Sequence, residues 1–364
     1  MKNLIRKNIL NLTPYKAGKP IEETRRELGL SEIIKLASNE NPLGPSPKAI
    51  KAIQRDAQKI NRYPDSQSFY LKKKLAGKLS LSEDTIVLGN GSDELIDIII
   101  KTFVEDDENI ITADVTFLEY KIIAKVLSRK IITVPLRNYS YDLEAIKERI
   151  TAHTKLIFIA NPNNPTGTYL NKCELRKFIR GLPGHVILVL DEAYDTFIDV
   201  DDYGCGSEYI NRYNVIVLKT FSKAYGLAGV RIGYALASRK FTPYLEKTRQ
   251  PFNVNLLAQS AAAASLDDAQ FLIKTRAVVL EGKRFLYRAL DGLGIRFIPS
   301  VANFILIDTK KDGVGVFKKM LTYGVIVRDM QQYGLKNFIR VTIGTESENK
   351  KFIAALKKTL HLPR

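Results

Sequence analysis

Three short stretches of this chain, Leu156–Ala160, Val186–Leu190 and Val215–Leu218, are almost entirely apolar. A strand with one wet face alternates polar and apolar residues, so such runs read as strands buried on both faces of a parallel sheet. Thr85–Leu88, Asn109–Thr112 and Ile131–Val134 read as further strands, and Leu95–Phe103, Thr116–Leu127 and Asp142–Ile150 as helices. This alternation predicts an α/β fold, a large domain whose mostly parallel central sheet is flanked by helices. The pattern changes after Phe252. Helices at Leu256–Leu266 and Gln270–Leu290 precede short strands around Phe304–Ile307, Val325–Val327 and Ile339–Ile343, which reads as a smaller α+β domain. With 364 residues, two domains are expected. The reading assigns 1–40 to an N-terminal arm packing with the small domain, 41–265 to the large domain and 266–364 to the small one. Ser38–Pro47, SNENPLGPSP, is dense in turn formers and reads as too polar for a core element. It would carry the chain into a first long helix, about Pro47–Ile60.

The net charge of +17 raises nucleic-acid binding. The basic clusters, such as Lys72–Lys74 and Lys357–Lys358, mostly fall in stretches that read as amphipathic helices. They read as solvated faces whose field draws anionic substrates, and no nucleic-acid partner is expected. Cys173 and Cys205 form no CxxC, and the three histidines are scattered, so no metal site is expected. No run reaches transmembrane length. The basic N-terminus, MKNLIRKNILNL, lacks the continuous apolar core of a secretory signal. The expectation is a cytoplasmic protein without a membrane partner.

Open α/β sheets bind ligands beyond the carboxyl ends of their strands, and four loops fall there. Thr220–Tyr234, TFSKAYGLAGVRIGY, follows a buried strand and carries Ser222, Lys223 and Arg231. A lysine amine becomes nucleophilic when burial or a nearby cation lowers its pKa; Arg231 would supply that cation and, with Ser222, clamp a phosphate. Together these residues suggest a pyridoxal phosphate site. Gly91-Ser92-Asp93 turns tightly into a helix whose first amides suit a phosphate. Asn161–Gly167, NPNNPTG, is a stiff loop presenting the Asn164 amide. Asp191, after Val186–Leu190, should be buried, and a buried carboxylate needs a partner: a protonated pyridine nitrogen or an arginine. Tyr194 stands ready to hydrogen-bond a phenolic oxygen. Phe117 and Tyr120 open a helix where an aromatic face either stacks on a cofactor ring or joins the core.

Lysine, aspartate, NPNNPTG and arginine in this order resemble the fold-type I pyridoxal-phosphate-dependent aminotransferases. LASNENPLGPSP, RYPD, GNGSDE, DEAY, TFSKAYGLAGVRIGY and IRVTIGT together resemble, more narrowly, the histidinol-phosphate aminotransferase family, over Tyr15 to about Thr345. The resemblance implies pyridoxal 5'-phosphate as cofactor, with a Schiff base at Lys223, which then moves a proton. It implies Asp191 on the pyridine nitrogen and Asn164 and Tyr194 on the phenolic oxygen. The phosphate would be held by the amides of Ser92 and Asp93, by Ser222 and Arg231, and by Tyr63 of a second copy, so that a homodimer shares its active sites. Phe117 matches the stacking position. Arg328 and Arg340 would bind the substrate's phosphate or carboxylate, with Tyr15, Tyr120 and Asn164 nearby. The implied reaction transfers the amino group of L-histidinol phosphate to 2-oxoglutarate by a ping-pong route, in histidine biosynthesis. Aromatic amino acid transamination and threonine-phosphate decarboxylation are the alternatives. The chain departs from the family pattern at Ala17, usually proline, at Lys219, usually arginine, and at Asp195-Thr196-Phe197 after DEAY.

Overall fold

The computed structural model describes residues 4–362. Seven strands form the central sheet in the spatial order Ile86–Gly89, Gly233–Ala237, Val215–Thr220, Ile187–Asp191, Thr154–Ala160, Asn109–Ala113 and Lys130–Val134. Neighbours are parallel except at Gly233–Ala237, which runs antiparallel to both strands beside it. The apolar runs are covered on both faces. Side chains alternate along a strand, and here Ile157, Ile159, Leu188, Leu190 and Val217 enter one hydrophobic layer. Leu156, Phe158, Ile187, Val189, Ile216 and Leu218 enter the other. Fully burying each such side chain contributes about 1.5–3 kcal/mol, so no polar residue has a place in the middle of these strands.

Helices supply both covers. Ser92–Phe103 buries Leu95, Ile96, Ile98 and Ile99 in the second layer. Pro47–Asp56 and Leu256–Leu266 pack on each other over the first. The helix Pro47–Asp56 starts where the Ser46 side chain accepts hydrogen bonds from the Lys48 and Ala49 amides, with proline at the first helical position. A four-stranded antiparallel sheet follows in the C-terminal part, ordered Arg328–Asp329, Phe338–Thr342, Phe304–Asp308, Phe297–Ile298. The helices Ala269–Gly292 and Glu346–Leu360 cover it, bringing Leu286, Leu290, Phe352 and Leu356 onto Phe304, Ile339 and Val341. Tyr194, Phe197 and Ala224, from loops of the large sheet, belong to the same cluster. The two sheets therefore meet at those loops. On the N-terminal side, Ile34–Lys35 pairs in parallel with Val325–Ile326.

Several elements differ from expectation. The first long helix ends at Asp56 and finishes as a 3-10 turn, Ala57–Lys59. The helix after GNG starts at Ser92, three residues early, because Gly91 itself makes the turn. The helix expected from Thr116 starts at Glu119; the Thr116 hydroxyl is engaged by Tyr141 at 2.6 Å and Asn163 at 2.9 Å. The expected strand Val325–Val327 divides, with Val325–Ile326 on the arm and Arg328–Asp329 in the small sheet. SNENPLGPSP is the larger correction. Asn39, Asn41 and Ser46 are buried, with Asn39 Nδ2 donating to the Tyr194 hydroxyl at 2.9 Å, Asn41 Nδ2 to the Ala224 carbonyl at 2.8 Å and Ser46 Oγ to Asp268 at 2.7 Å. Polar residues are admitted to an interior when their hydrogen bonds are met there.

Candidate active site

Thr220 ends one strand, Gly233 begins the antiparallel return, and the two are paired. The segment between them therefore stays at the carboxyl edge of the sheet and presents Lys223 and Arg231 on that edge. Asp191 ends the adjacent strand there, and Ala160 leads into NPNNPTG beside it. Ile86–Gly89 delivers the Gly91 turn to the same edge, since Gly89 also pairs with Gly233. These loops, the SNEN segment and the small sheet enclose a cavity of about 340 Å³. Ser92, Asp93, Phe117, Asn164, Asp191 and Tyr194 contribute to its wall, as do Ser222, Lys223, Arg231, Arg340 and Tyr15.

Asp191 is 5% exposed. One oxygen accepts the Tyr120 hydroxyl at 2.7 Å and the other the Ala193 amide at 3.1 Å. Among the described residues no arginine, lysine or histidine pairs with it. Burial accordingly pushes its carboxyl up to about 6, against the pull of the Tyr120 hydrogen bond. Lys223 donates to the Ser38 carbonyl at 3.0 Å. Its amine is pushed down to about 8, first by burial and then by the Arg340 charge, with Arg231 a smaller contributor. Arg231 was the expected cation; Arg340, from the small sheet, outweighs it.

Arg231 lies at φ 59°, in the left-handed region that costs a non-glycine residue energy. Its guanidinium donates to Asp93 at 3.1 Å and to the Ala228 carbonyl at 3.2 Å. Gly91, at φ 85°, passes so close that a Cβ there would strike that guanidinium. The helix behind it receives no side-chain cap at Gly91, so its first amides, at Ser92 and Asp93, face the cavity unclaimed by a cap. Ser222 is buried in the same cavity wall. The Tyr194 hydroxyl is fixed by Asn39 and its ring by Phe304, edge to face at 5.1 Å. Asn164 Oδ1 accepts from Arg340, leaving its Nδ2 without a protein partner among the described residues.

Three predicted residues lie outside the cavity wall. Tyr120, expected on the substrate side, is wholly buried behind it, where its hydroxyl holds Asp191 and its ring stacks on Phe158 at 4.9 Å. Arg328 faces Arg340 across the small sheet, its guanidinium 5.3 Å from the Tyr15 ring centre. Tyr63 is 83% exposed, stacked on Phe252 at 4.7 Å. Sequence reasoning missed Ser38, Asn39, Glu40 and Glu119, all in the wall. For the first three the signal is present in SNEN, a segment that carries the family resemblance but to which no site role is assigned from sequence.

The family model for aminotransferase class I and II matches residues 31–356. Histidinol-phosphate aminotransferase from Moorella thermoacetica is 46% identical over 98% of this chain and 92% of its own length. The chain belongs to the histidinol-phosphate aminotransferase family. Among solved structures, histidinol-phosphate aminotransferase from Sinorhizobium meliloti, in complex with pyridoxal-5'-phosphate, superposes with a TM-score of 0.90 at 28% identity, covering 98% of this chain and 97% of that one. L-threonine-O-3-phosphate decarboxylase from Porphyromonas gingivalis also superposes, at 0.80 and 26% identity over 90% of this chain and 100% of that one. Family members of this shape thus sit close to an enzyme of different chemistry, and the fold alone does not separate the reactions.

Proposed function

We propose that this chain binds pyridoxal 5'-phosphate and transfers the amino group of L-histidinol phosphate to 2-oxoglutarate, alternating between the two substrates. The observation that carries the reading is the buried Asp191 carboxylate, without a cationic partner among the described residues, in one cavity with a lysine whose amine is lowered to about 8. These residues fit the cofactor. Asp191 would hold the ring nitrogen and Lys223 the aldehyde carbon. Asn164 Nδ2 and Tyr194 would take the phenolic oxygen, and the free amides of Ser92 and Asp93, with Ser222 and Arg231, the phosphate. When bound, the cofactor supplies an electron sink for charge developing at the substrate's Cα.

Lys223 can then act on the Cα proton. An amine near 8 accepts a proton at neutral pH and gives it up again, which general acid–base catalysis in both directions requires. Tyr120 and the Ala193 amide keep Asp191 ionised against its burial. Arg340, in the cavity wall, and Arg328 beside it would grip the donor's phosphate and the γ-carboxylate of 2-oxoglutarate in turn, since paired guanidinium groups accept either anion. The Tyr15 ring lies against Arg328.

The reading includes a homodimer in which Tyr63 of one copy reaches the cofactor phosphate of the other. An exposed group of aromatic residues, Tyr63, Phe69, Tyr70 and Phe252, supports it, because tyrosine and phenylalanine are enriched in buried interfaces.

The test is a single half-reaction with the cofactor-loaded chain and no keto acid. Fast conversion to pyridoxamine phosphate by L-histidinol phosphate, and slow conversion by phenylalanine, is expected. The opposite preference would reassign the chain to aromatic amino acids; carbon dioxide release from threonine phosphate with the cofactor regenerated would make it a decarboxylase.

A further inference from the structure

Four carboxylates reach the cavity wall: Glu40, Asp93, Glu119 and Asp191. Glu40 is paired with Lys35 at 2.8 Å and Asp93 with Arg231 at 3.1 Å. Asp191 is engaged by Tyr120 and the Ala193 amide. Glu119 is different. It is half-buried at the start of the helix Glu119–Val126, and its carboxylate has no hydrogen bond or ion pair among the described residues. Burial, and then the charge of Asp93, push it up to about 6. A carboxylate partly withdrawn from water and left unpartnered costs stability, and this one lines the same cavity as Arg340 and Tyr15.

The substrate under the proposed function has three polar parts. Its amine goes to the cofactor and its phosphate to the arginines, which leaves an imidazole ring. Imidazole carries one N–H donor and gains a second when protonated; phenyl carries none. The cationic groups of the wall, Lys35, Lys223, Arg231 and Arg340, repel an imidazolium or bind anions, so the ring's natural partner is the unpaired carboxylate. We infer that Glu119 is the specificity-determining residue that accepts a hydrogen bond from the donor's imidazole N–H and rejects donors with an apolar ring. This rests on the proposed function. Its physical basis is asymmetric, because a phenyl ring seated against Glu119 would shield the carboxylate from water and offer nothing in return.

The test measures kcat and KM for L-histidinol phosphate and for phenylalanine in the wild-type chain, Glu119→Leu and Glu119→Gln, each fully loaded with cofactor. The cofactor's absorbance and affinity are followed as a control that the site has formed. In Glu119→Leu, kcat/KM for histidinol phosphate should fall about ten- to a hundredfold, mainly through KM, while that for phenylalanine holds or rises. Glu119→Gln keeps an acceptor and should recover part of the preference. If the variants lower both donors by the same factor, or leave their ratio unchanged while the wild type prefers histidinol phosphate, Glu119 does not read the ring and the inference is overturned with the proposed function intact. A wild-type preference for phenylalanine overturns both.

Discussion

Tyr120 shows how one hydroxyl can serve a site it never enters. Asp191 is buried, and each group that donates to its ionised form helps hold its proton affinity down. Removing the Tyr120 hydroxyl should therefore raise the Asp191 pKa, so that the carboxylate form is lost at a higher pH than in the wild type. A hydrogen bond to a charged group is worth about 1.5–3 kcal/mol, or roughly one to two pH units. We expect Tyr120→Phe to bind pyridoxal phosphate about two- to tenfold more weakly near pH 7 and with little deficit near pH 9, read by equilibrium titration of the apo chain across pH. A uniform loss at every pH would mean the hydroxyl only shapes the cavity. Two departures from the family pattern also meet at this scale. Lys219 is buried, and its ammonium bridges Glu192, at 2.8 Å, and Asp195. Burial opposes its charge, but Asp195 and Glu192 outweigh that and hold its pKa well above the usual lysine value. Lysine in place of arginine and aspartate after DEAY are thus the two halves of one contact.

At the scale of elements, the helix Ser92–Phe103 and the turn before it form a single device. Gly91 adopts φ 85° and passes against the Arg231 guanidinium. An alanine there would be strained in its backbone and would displace Arg231. Gly91→Ala should weaken pyridoxal phosphate binding by tenfold or more while lowering the urea unfolding midpoint only modestly, because the helix's apolar face is untouched. Affinity and stability falling in proportion would instead point to general loosening. The antiparallel strand Gly233–Ala237 belongs to the same device, since it returns the chain to the edge from which Lys223 departs and so brings Arg231 alongside. The residues after Arg231, IGYALA, are almost all apolar, but their sequence has no means of assigning the strand's direction: a fully buried strand is apolar whichever way it runs.

For the whole molecule, the site lies between the two sheets, and it draws Arg340 from the small one and Lys223 from the large one. The proposed dimer would extend this sharing to a second copy. Mixing inactive Lys223→Ala chains with impaired Tyr63→Ala chains tests it. Subunit exchange builds a heterodimer in which the Tyr63→Ala chain keeps its own lysine and receives an intact tyrosine from its partner. The mixture's activity should then exceed the mean of the two parents; activity equal to that mean would place Tyr63 outside the partner's site.

The sequence by itself determined the parallel core, because strands covered on both faces admit only apolar side chains, and Leu156–Ala160, Val186–Leu190 and Val215–Leu218 could be little else. It also placed Lys223, Asp191 and Asn164 together, since residues at the carboxyl ends of neighbouring parallel strands share one edge. Only the tertiary structure decided what each of them touches. The dominance of Arg340 over Arg231 at Lys223, the Tyr120 hydroxyl on Asp191 and the burial of Asn39 all join residues far apart in the chain. Charge and hydrogen bonding act through space, so their strength depends on distances and burial that no spacing along the chain contains.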